Sequence, residues 1–492
     1  MTRMLEGCTP WPEEFVDRYW AAGHWRGNTL DNLLRDWALQ YGPRTALVHG
    51  ATRVTYANLN RRVDRMAAGF RLRGLRPGQR VLVQLPNVPE FVVTVFALMR
   101  AGVFPVLCPV GHRASEVSPV AWVTQAVGYV GPSTHQGFDH TAMAADIAAA
   151  GPFLRRVFPL EAPGDSSPYG GFTTDPSGCH YFPLASLDSP PDRPLAQRAD
   201  QVALFLLSGG TAEAPEIVAR THNDYVYQAR AAAELVSLTE DDVYLAALPA
   251  ASHFAFGSPG IVGTLSVGGT VVLAEDPGPA ESLPLIERER VTLTSLAPAA
   301  ARLWLDALPT VRADVSSLRL VQIVDGPLDR ATAERLGPEL GCRLQQVFGK
   351  AEGPLTLTRP DDPEETVLTT QGRPLSPDDE IRLVDAEGKD VPDGEAGELL
   401  VRGPYTPRGY YRAPGRNARS FTADGYLRTG DLARRTPDGS LVVTGRLQDV
   451  RPRADHDEPS NHEEPSNHEE PSNHEEPSNH EEPSNHAEPS GP

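Results

Sequence analysis

Few side chains of this 492-residue chain stand at spacings that would do chemistry by themselves. The four cysteines, Cys8, Cys108, Cys179 and Cys342, form no Cys-x-x-Cys pair. That spacing argues for ordinary thiols over a disulfide framework or a structural zinc site. Six of the fourteen histidines (His456, His462, His468, His474, His480 and His486) recur every six residues in an EPSNHE repeat. Such tracts bind transition metals weakly, and an inert repeat is the simpler reading. Basic side chains are nearly all arginine. The only lysines are Lys350 and Lys389. A Ser208-Gly209-Gly210 turn closes the apolar run Val202–Leu207.

Charge narrows the partners. The formal net charge is −20, and residues 455–492 hold 12 acids and no Lys or Arg. The body therefore carries 53 acids against 45 bases, a balance of −8. It lacks the basic excess of a nucleic-acid binder. No apolar run reaches the roughly 18 residues of a membrane span, and the N-terminus shows no secretory pattern. The expected location is cytoplasmic.

The elements that must position these residues alternate. Helical periodicity covers 29–41, with Thr29 as its expected cap, then 58–73, 89–100 and 223–235. Strand patterns fall at 46–49, 53–56, 80–84, 103–107, 202–207, 243–248, 270–273, 293–296 and 320–324. Strands alternating with helices predict a parallel α/β architecture. The Pro/Gly/Ser-rich stretch 163–194 reads as a surface excursion. From Arg359 short β-like runs (380–384, 397–401 and 441–443) predict a smaller antiparallel subdomain.

Six segments in order carry a resemblance: WPEEFVDRYWAAGHWRG at 11–27, RTHNDYVYQAR at 220–230, LQQVFGKAEG at 344–353, TTQGRPLSPDDEIRLVD at 369–385, RGPYTPRGYY at 402–411 and DGYLRTGDLARRTPDG at 424–439. Over residues 11–449 the chain resembles the stand-alone aryl-acid AMP ligases of siderophore and nonribosomal peptide biosynthesis. The resemblance implies the large N-terminal domain of adenylate-forming enzymes: two αβαβα-type subdomains plus a β-rich subdomain at about 359–449. It implies that the C-terminal domain is absent, with residues 450–492 a disordered repeat tail. The implied reaction joins an aromatic carboxylate to the α-phosphate of ATP, releases pyrophosphate, and passes the acyl group to a phosphopantetheine thiol. The implied cofactors are Mg²⁺ and ATP/AMP. The implied partners are an aromatic acid or its acyl derivative, and a carrier protein or a separate C-terminal domain acting in trans.

The same resemblance assigns residues. Glu352 matches the magnesium-binding glutamate, whose hard carboxylate oxygen suits Mg²⁺. Asp431 matches the aspartate that binds the ribose, and Arg446 a basic residue at the ribose and phosphates. Gln346, Val347 and Phe348 match the segment lining adenine. Ser208, Gly209, Gly210 and Thr211 match the phosphate loop. The acyl pocket is matched by His253, Phe254, Gly257, Ser258, Val324, Asp325, Gly326 and Lys350.

The sequence departs from the family pattern in each region. In the phosphate loop a glycine is replaced by Glu213 and the lysine by Glu216. A like charge at contact range costs on the order of 1–4 kcal/mol at effective dielectrics of about 80 to 20. His253 stands where relatives carry the Asn that meets a ring hydroxyl, Val324 and Asp325 replace two glycines, and Lys350 replaces a Met. Asp325 and Lys350 are expected to pair with each other, to read polar substrate substituents such as an amine and a carboxylate, or to point to solvent. These departures leave a second reading, an aryl- or acyl-binding protein that no longer uses ATP.

Overall fold

The computed structural model describes residues 4–161, 172–209 and 215–450. Two large sheets dominate. The first has nine strands, in the order 373–374, 355–357, 343–349, 320–323, 293–296, 243–246, 270–273, 45–49 and 52–55. Its six central neighbours, from 343–349 to 45–49, run parallel, and antiparallel strands close both edges. The second has eight, in the order 216–221, 202–208, 104–107, 80–83, 128–132, 156–160, 180–181 and 173–174. Its central strands are also parallel, which matches their unbroken apolar runs, since a parallel strand buries both faces.

The helix Pro89–Arg100 shows how the two sheets share a core. Eleven of its twelve residues are buried, and eight of them belong to a cluster with side chains from both sheets, including Leu47, Val81 and Leu204. A helix that is apolar all round has to be enclosed on every side. Its one buried cation, Arg100, donates to Asn60 Oδ1 at 2.8 Å, Asp64 Oδ1 at 3.0 Å and the Asp31 carbonyl at 2.7 Å.

A third, four-stranded antiparallel sheet comprises Glu380–Val384, Ala396–Arg402, Leu427–Arg435 and Leu441–Arg446. Residues 355–357 and 373–374 still belong to the nine-stranded sheet, so antiparallel pairing alone does not mark a separate layer.

Most predicted elements appear within a residue or two of their expected limits. Four differences have physical causes. Thr29 precedes helix Leu30–Tyr41 with extended backbone, but its hydroxyl makes no capping bond and is buried without a partner. The strand expected at 53–56 is Thr52–Thr55, because the Thr55 hydroxyl accepts the Asn58 N–H and starts the next helix at Tyr56. The stretch read as a surface excursion instead supplies strands Thr173–Thr174 and His180–Tyr181, with Cys179 fully buried beside them. Strand Leu427–Arg435, unrecognised from its Arg-rich pattern, is the longest of the third sheet. All four cysteines are free, and burial pushes each thiol up to about 12. The repeat tail falls outside the described residues beyond the short helix Leu447–Val450. No helix among the described residues is long and apolar enough to cross a membrane.

Candidate active site

One wall of the site is the hairpin formed by strands Val202–Ser208 and Glu216–Thr221, in which Ser208 pairs with Glu216. Ser208 is buried, and Gly209 faces open space. Gly210, Thr211 and Glu213 lie outside the described residues. Glu216 is not a bare anion. The Arg416 guanidinium, on helix Pro414–Ser420, pairs with its carboxylate. Burial raises the Glu216 carboxyl above its ordinary range, and Arg416 opposes that shift.

The second wall is the turn after strand Arg343–Gly349, which carries Lys350, Ala351 and Glu352. Arg220 holds this turn from below. It is fully buried, pairs with Asp224 at 2.7 Å, donates to Gln228 at 2.8 Å and donates to the Ala351 carbonyl at 3.1 Å. Asp224 is in turn placed by a reciprocal capping box with Thr221 at the start of helix His222–Leu235. Glu352 is 1% exposed. Its Oε1 accepts from the Tyr410 hydroxyl at 2.8 Å, and its Oε2 is buried with no partner. The sequence reading assigned no role to Arg220, Tyr410 or Arg416. Arg220 and Tyr410 stand in the segments 220–230 and 402–411, but nothing in their spacing marks a contact with residues 351 and 352.

The third wall is the antiparallel sheet. Asp431 sits on strand Leu427–Arg435 directly opposite Arg446 in the ladder. Lys350 Nζ donates to Asp431 Oδ2 at 2.9 Å and to the Thr429 carbonyl at 2.9 Å, while Arg446 Nε stands 3.9 Å from Asp431 Oδ1. The predicted pairing of Lys350 with Asp325 is therefore not found: the lysine is committed to Asp431. Asp325 is exposed and follows fully buried Val324. It holds φ +63°, a left-handed conformation that Asp tolerates better than most residues. Its carboxyl is raised by partial burial and lowered by Arg446, not by Lys350.

Gln346 and Val347 are buried and Phe348 is half-buried. The Gln346 amide donates to the Val367 carbonyl at 2.7 Å, so that side chain already has a structural partner. His253 begins helix His253–Gly257, with the Ser252 hydroxyl as its cap. Both of its ring nitrogens are buried without partners, and burial lowers the imidazole to about 3. It stands as a neutral ring with unused hydrogen-bonding capacity. Phe254, packed beside Val324 and Leu355, is buried, as are Gly257 and Ser258. A Cβ at Gly257 would lie 2.6 Å from the Tyr225 ring, which explains the glycine. The Ser258 hydroxyl accepts from Gln228 Nε2 at 2.8 Å. Gly326 has φ +144°, and a Cβ there would meet Pro298 Cγ at an ordinary 3.8 Å. A cavity of about 530 Å³ beside Trp11, Trp20 and Trp25 lies elsewhere, and none of the predicted site residues lines it.

Magnesium fits Glu352 on its donor chemistry. Oε2 is a hard anionic oxygen, buried and unpartnered, a costly arrangement without a cation. Among the described residues no group of three His, Cys, Asp or Glu could hold an ion by itself.

Three comparisons bear on this arrangement. The family model described as "AMP-binding enzyme" matches residues 34–411. The chain is 43% identical to the 2,3-dihydroxybenzoate-AMP ligase of Bacillus subtilis, over 91% of this chain and 80% of that protein. It is 45% identical to the salicyl-AMP ligase / salicyl-S-ArCP synthetase of Mycobacterium tuberculosis, over 92% and 78%. The apo structure of Mycobacterium smegmatis MbtA superposes with a TM-score of 0.82 at 44% identity, covering 90% of this chain and 80% of that one. With Glu352 on one turn and Asp431 on one strand of a fold shared with these relatives, the chain belongs to the AMP-binding enzyme family.

Proposed function

We propose that this chain activates an aromatic carboxylic acid as its acyl-adenylate and presents it to a thiol, such as that of a carrier protein. The observation that carries this reading is the convergence of Glu352, Asp431, Lys350 and Arg446 on one site, with the Glu352 Oε2 left free. The named ligase relatives support it and do not favour a binder that has lost ATP chemistry.

In the proposed step an oxygen of the substrate carboxylate bonds to the α-phosphorus of ATP. The bond from that phosphorus to the β-bridging oxygen breaks, and pyrophosphate leaves with the electron pair. Mg²⁺, when bound at Glu352, would neutralise phosphate charge. Asp431 would accept the ribose hydroxyls, with Lys350 fixing its orientation. Arg446 would add positive charge beside the ribose and phosphates. The aromatic ring would lie against Phe254 and Val324, and neutral His253 would offer one donor and one acceptor to a ring substituent.

Pyrophosphate exchange into ATP, measured across a panel of aryl acids bearing hydroxyl, amino or ring-nitrogen substituents, tests this. Exchange with at least one acid is expected. Silence across the panel at high enzyme concentration would sink the reading.

A further inference from the structure

The replacement of the phosphate-loop lysine by Glu216 leaves that position with the wrong sign for a polyanion. Glu216 is itself paired with a cation, Arg416. The Tyr410 hydroxyl donates to Glu352 Oε1 at 2.8 Å and also interacts with the Glu216 carboxylate. One hydroxyl carries one proton, so it cannot satisfy two carboxylates. Glu216 is left to find another partner, and it finds Arg416. The Glu216 side chain is 24% exposed and that of Arg416 is 49% exposed. The pair is therefore partly open to solvent, with Glu216 close to the buried Glu352 and opposite Ser208 in the strand ladder.

Arg416 has capacity to spare. A guanidinium carries five N–H donors, and a carboxylate engages at most two of them at once. Among the described residues no other carboxylate pairs with it, and half of its side chain faces solvent. Its planar fork matches phosphate oxygens better than a lysine ammonium does.

We propose that Arg416 is the cation that meets the β- and γ-phosphates of a nucleoside triphosphate in this chain, and that Glu216 is its positioning residue. The charge reversal at 216 is then a relocation: the cation is supplied by helix Pro414–Ser420 and tethered by the residue that replaced the lysine. This rests on the ATP-using reading above.

The test is calorimetric titration of the full chain with Mg·ATP, inorganic pyrophosphate and AMP, without acid substrate. The variants are Arg416→Gln, Arg416→Lys and the swap Glu216→Lys/Arg416→Gln, each checked by thermal melting. Arg416→Gln is expected to weaken Mg·ATP and pyrophosphate by about tenfold, the loss of one charge-assisted contact, and to leave AMP within about twofold. Arg416→Lys should recover part of the loss, and the swap should recover most of it by returning a cation to the loop side. A merely structural salt bridge would weaken ATP and AMP equally or neither. Either result, or a swap no better than Arg416→Gln alone, overturns the proposal. Wild-type protein that binds no nucleotide overturns both this proposal and the functional reading. Wild-type binding of ATP with an unaffected Arg416→Gln variant overturns this proposal alone.

Discussion

Lys350 Nζ lies 2.9 Å from Asp431 Oδ2, and this ion pair joins the turn of the nine-stranded sheet to the antiparallel sheet. The Asp431 side chain is only 6% exposed, so it needs a compensating charge even before any ligand arrives. Lys350 is thus committed to Asp431 rather than to Asp325.

The pair should show energetic coupling. Lys350→Met leaves Asp431 with only Arg446, 3.9 Å away and half-exposed. Chemical denaturation of Lys350→Met, Asp431→Asn and the double variant should yield a coupling energy of about 1–3 kcal/mol. The corresponding cycle with Asp325→Asn should be additive within about 0.5 kcal/mol. Coupling to Asp325 in place of Asp431 would contradict the assigned contact.

Glu352 should trade stability for function. Glu352→Gln keeps an acceptor for Tyr410 and removes the charge from the orphaned oxygen. In the absence of Mg²⁺ the variant should be as stable as the parent or more so, by up to about 1 kcal/mol. Pyrophosphate exchange should fall by roughly 100-fold or more, the scale of removing a preorganised electrostatic contact. Melting curves with EDTA and with Mg·ATP would separate the two effects.

Arg220 should matter more than any surface arginine. It is fully buried and holds Asp224, Gln228 and the Ala351 carbonyl together. Arg220→Met strands a buried carboxylate and should cost about 3–5 kcal/mol in denaturant titration. Asp224→Asn combined with Arg220→Met should recover part of that loss, because it removes the stranded charge.

The stability profile should bend at both ends of the acid range. Burial lowers His253 to about 3 and His222 to about 4, and His222 Nδ1 accepts the Leu30 N–H at 3.1 Å as a neutral ring. Both folded values lie below the ordinary 6.5. Their contribution is therefore present above that value and lost as pH falls toward 3. His253→Asn should flatten this acid limb.

Asp379 has the opposite sign. Burial raises it to about 7, from 3.8, while it accepts the Tyr405 hydroxyl and the Ser376 N–H. Stability from this group is full below 3.8 and lost as pH rises through 7. Asp379→Asn should therefore be more stable than the parent at pH about 8, by an amount on the order of 1–4 kcal/mol, and similar to it at pH about 4. Urea midpoints at the two pH values check this.

The sequence alone determined the alternating α/β plan, because buried parallel strands are unbroken apolar runs and the helices between them carry local periodicity. Helix Pro89–Arg100 and strands Thr270–Leu273 and Leu293–Leu296 match their expected limits for that reason. It also marked Glu352, Asp431 and Arg446 as candidates, through the family-like motifs in which they stand. What only the tertiary structure decided is which charges meet. Lys350 reaches Asp431 across 81 residues, Arg220 reaches Ala351 across 131, and Glu216 meets Arg416 from another element altogether. A long charged side chain has many possible partners within its reach. The choice among them depends on where packing sets each backbone and on which pairing leaves no charge buried alone. Neither condition is written in local spacing.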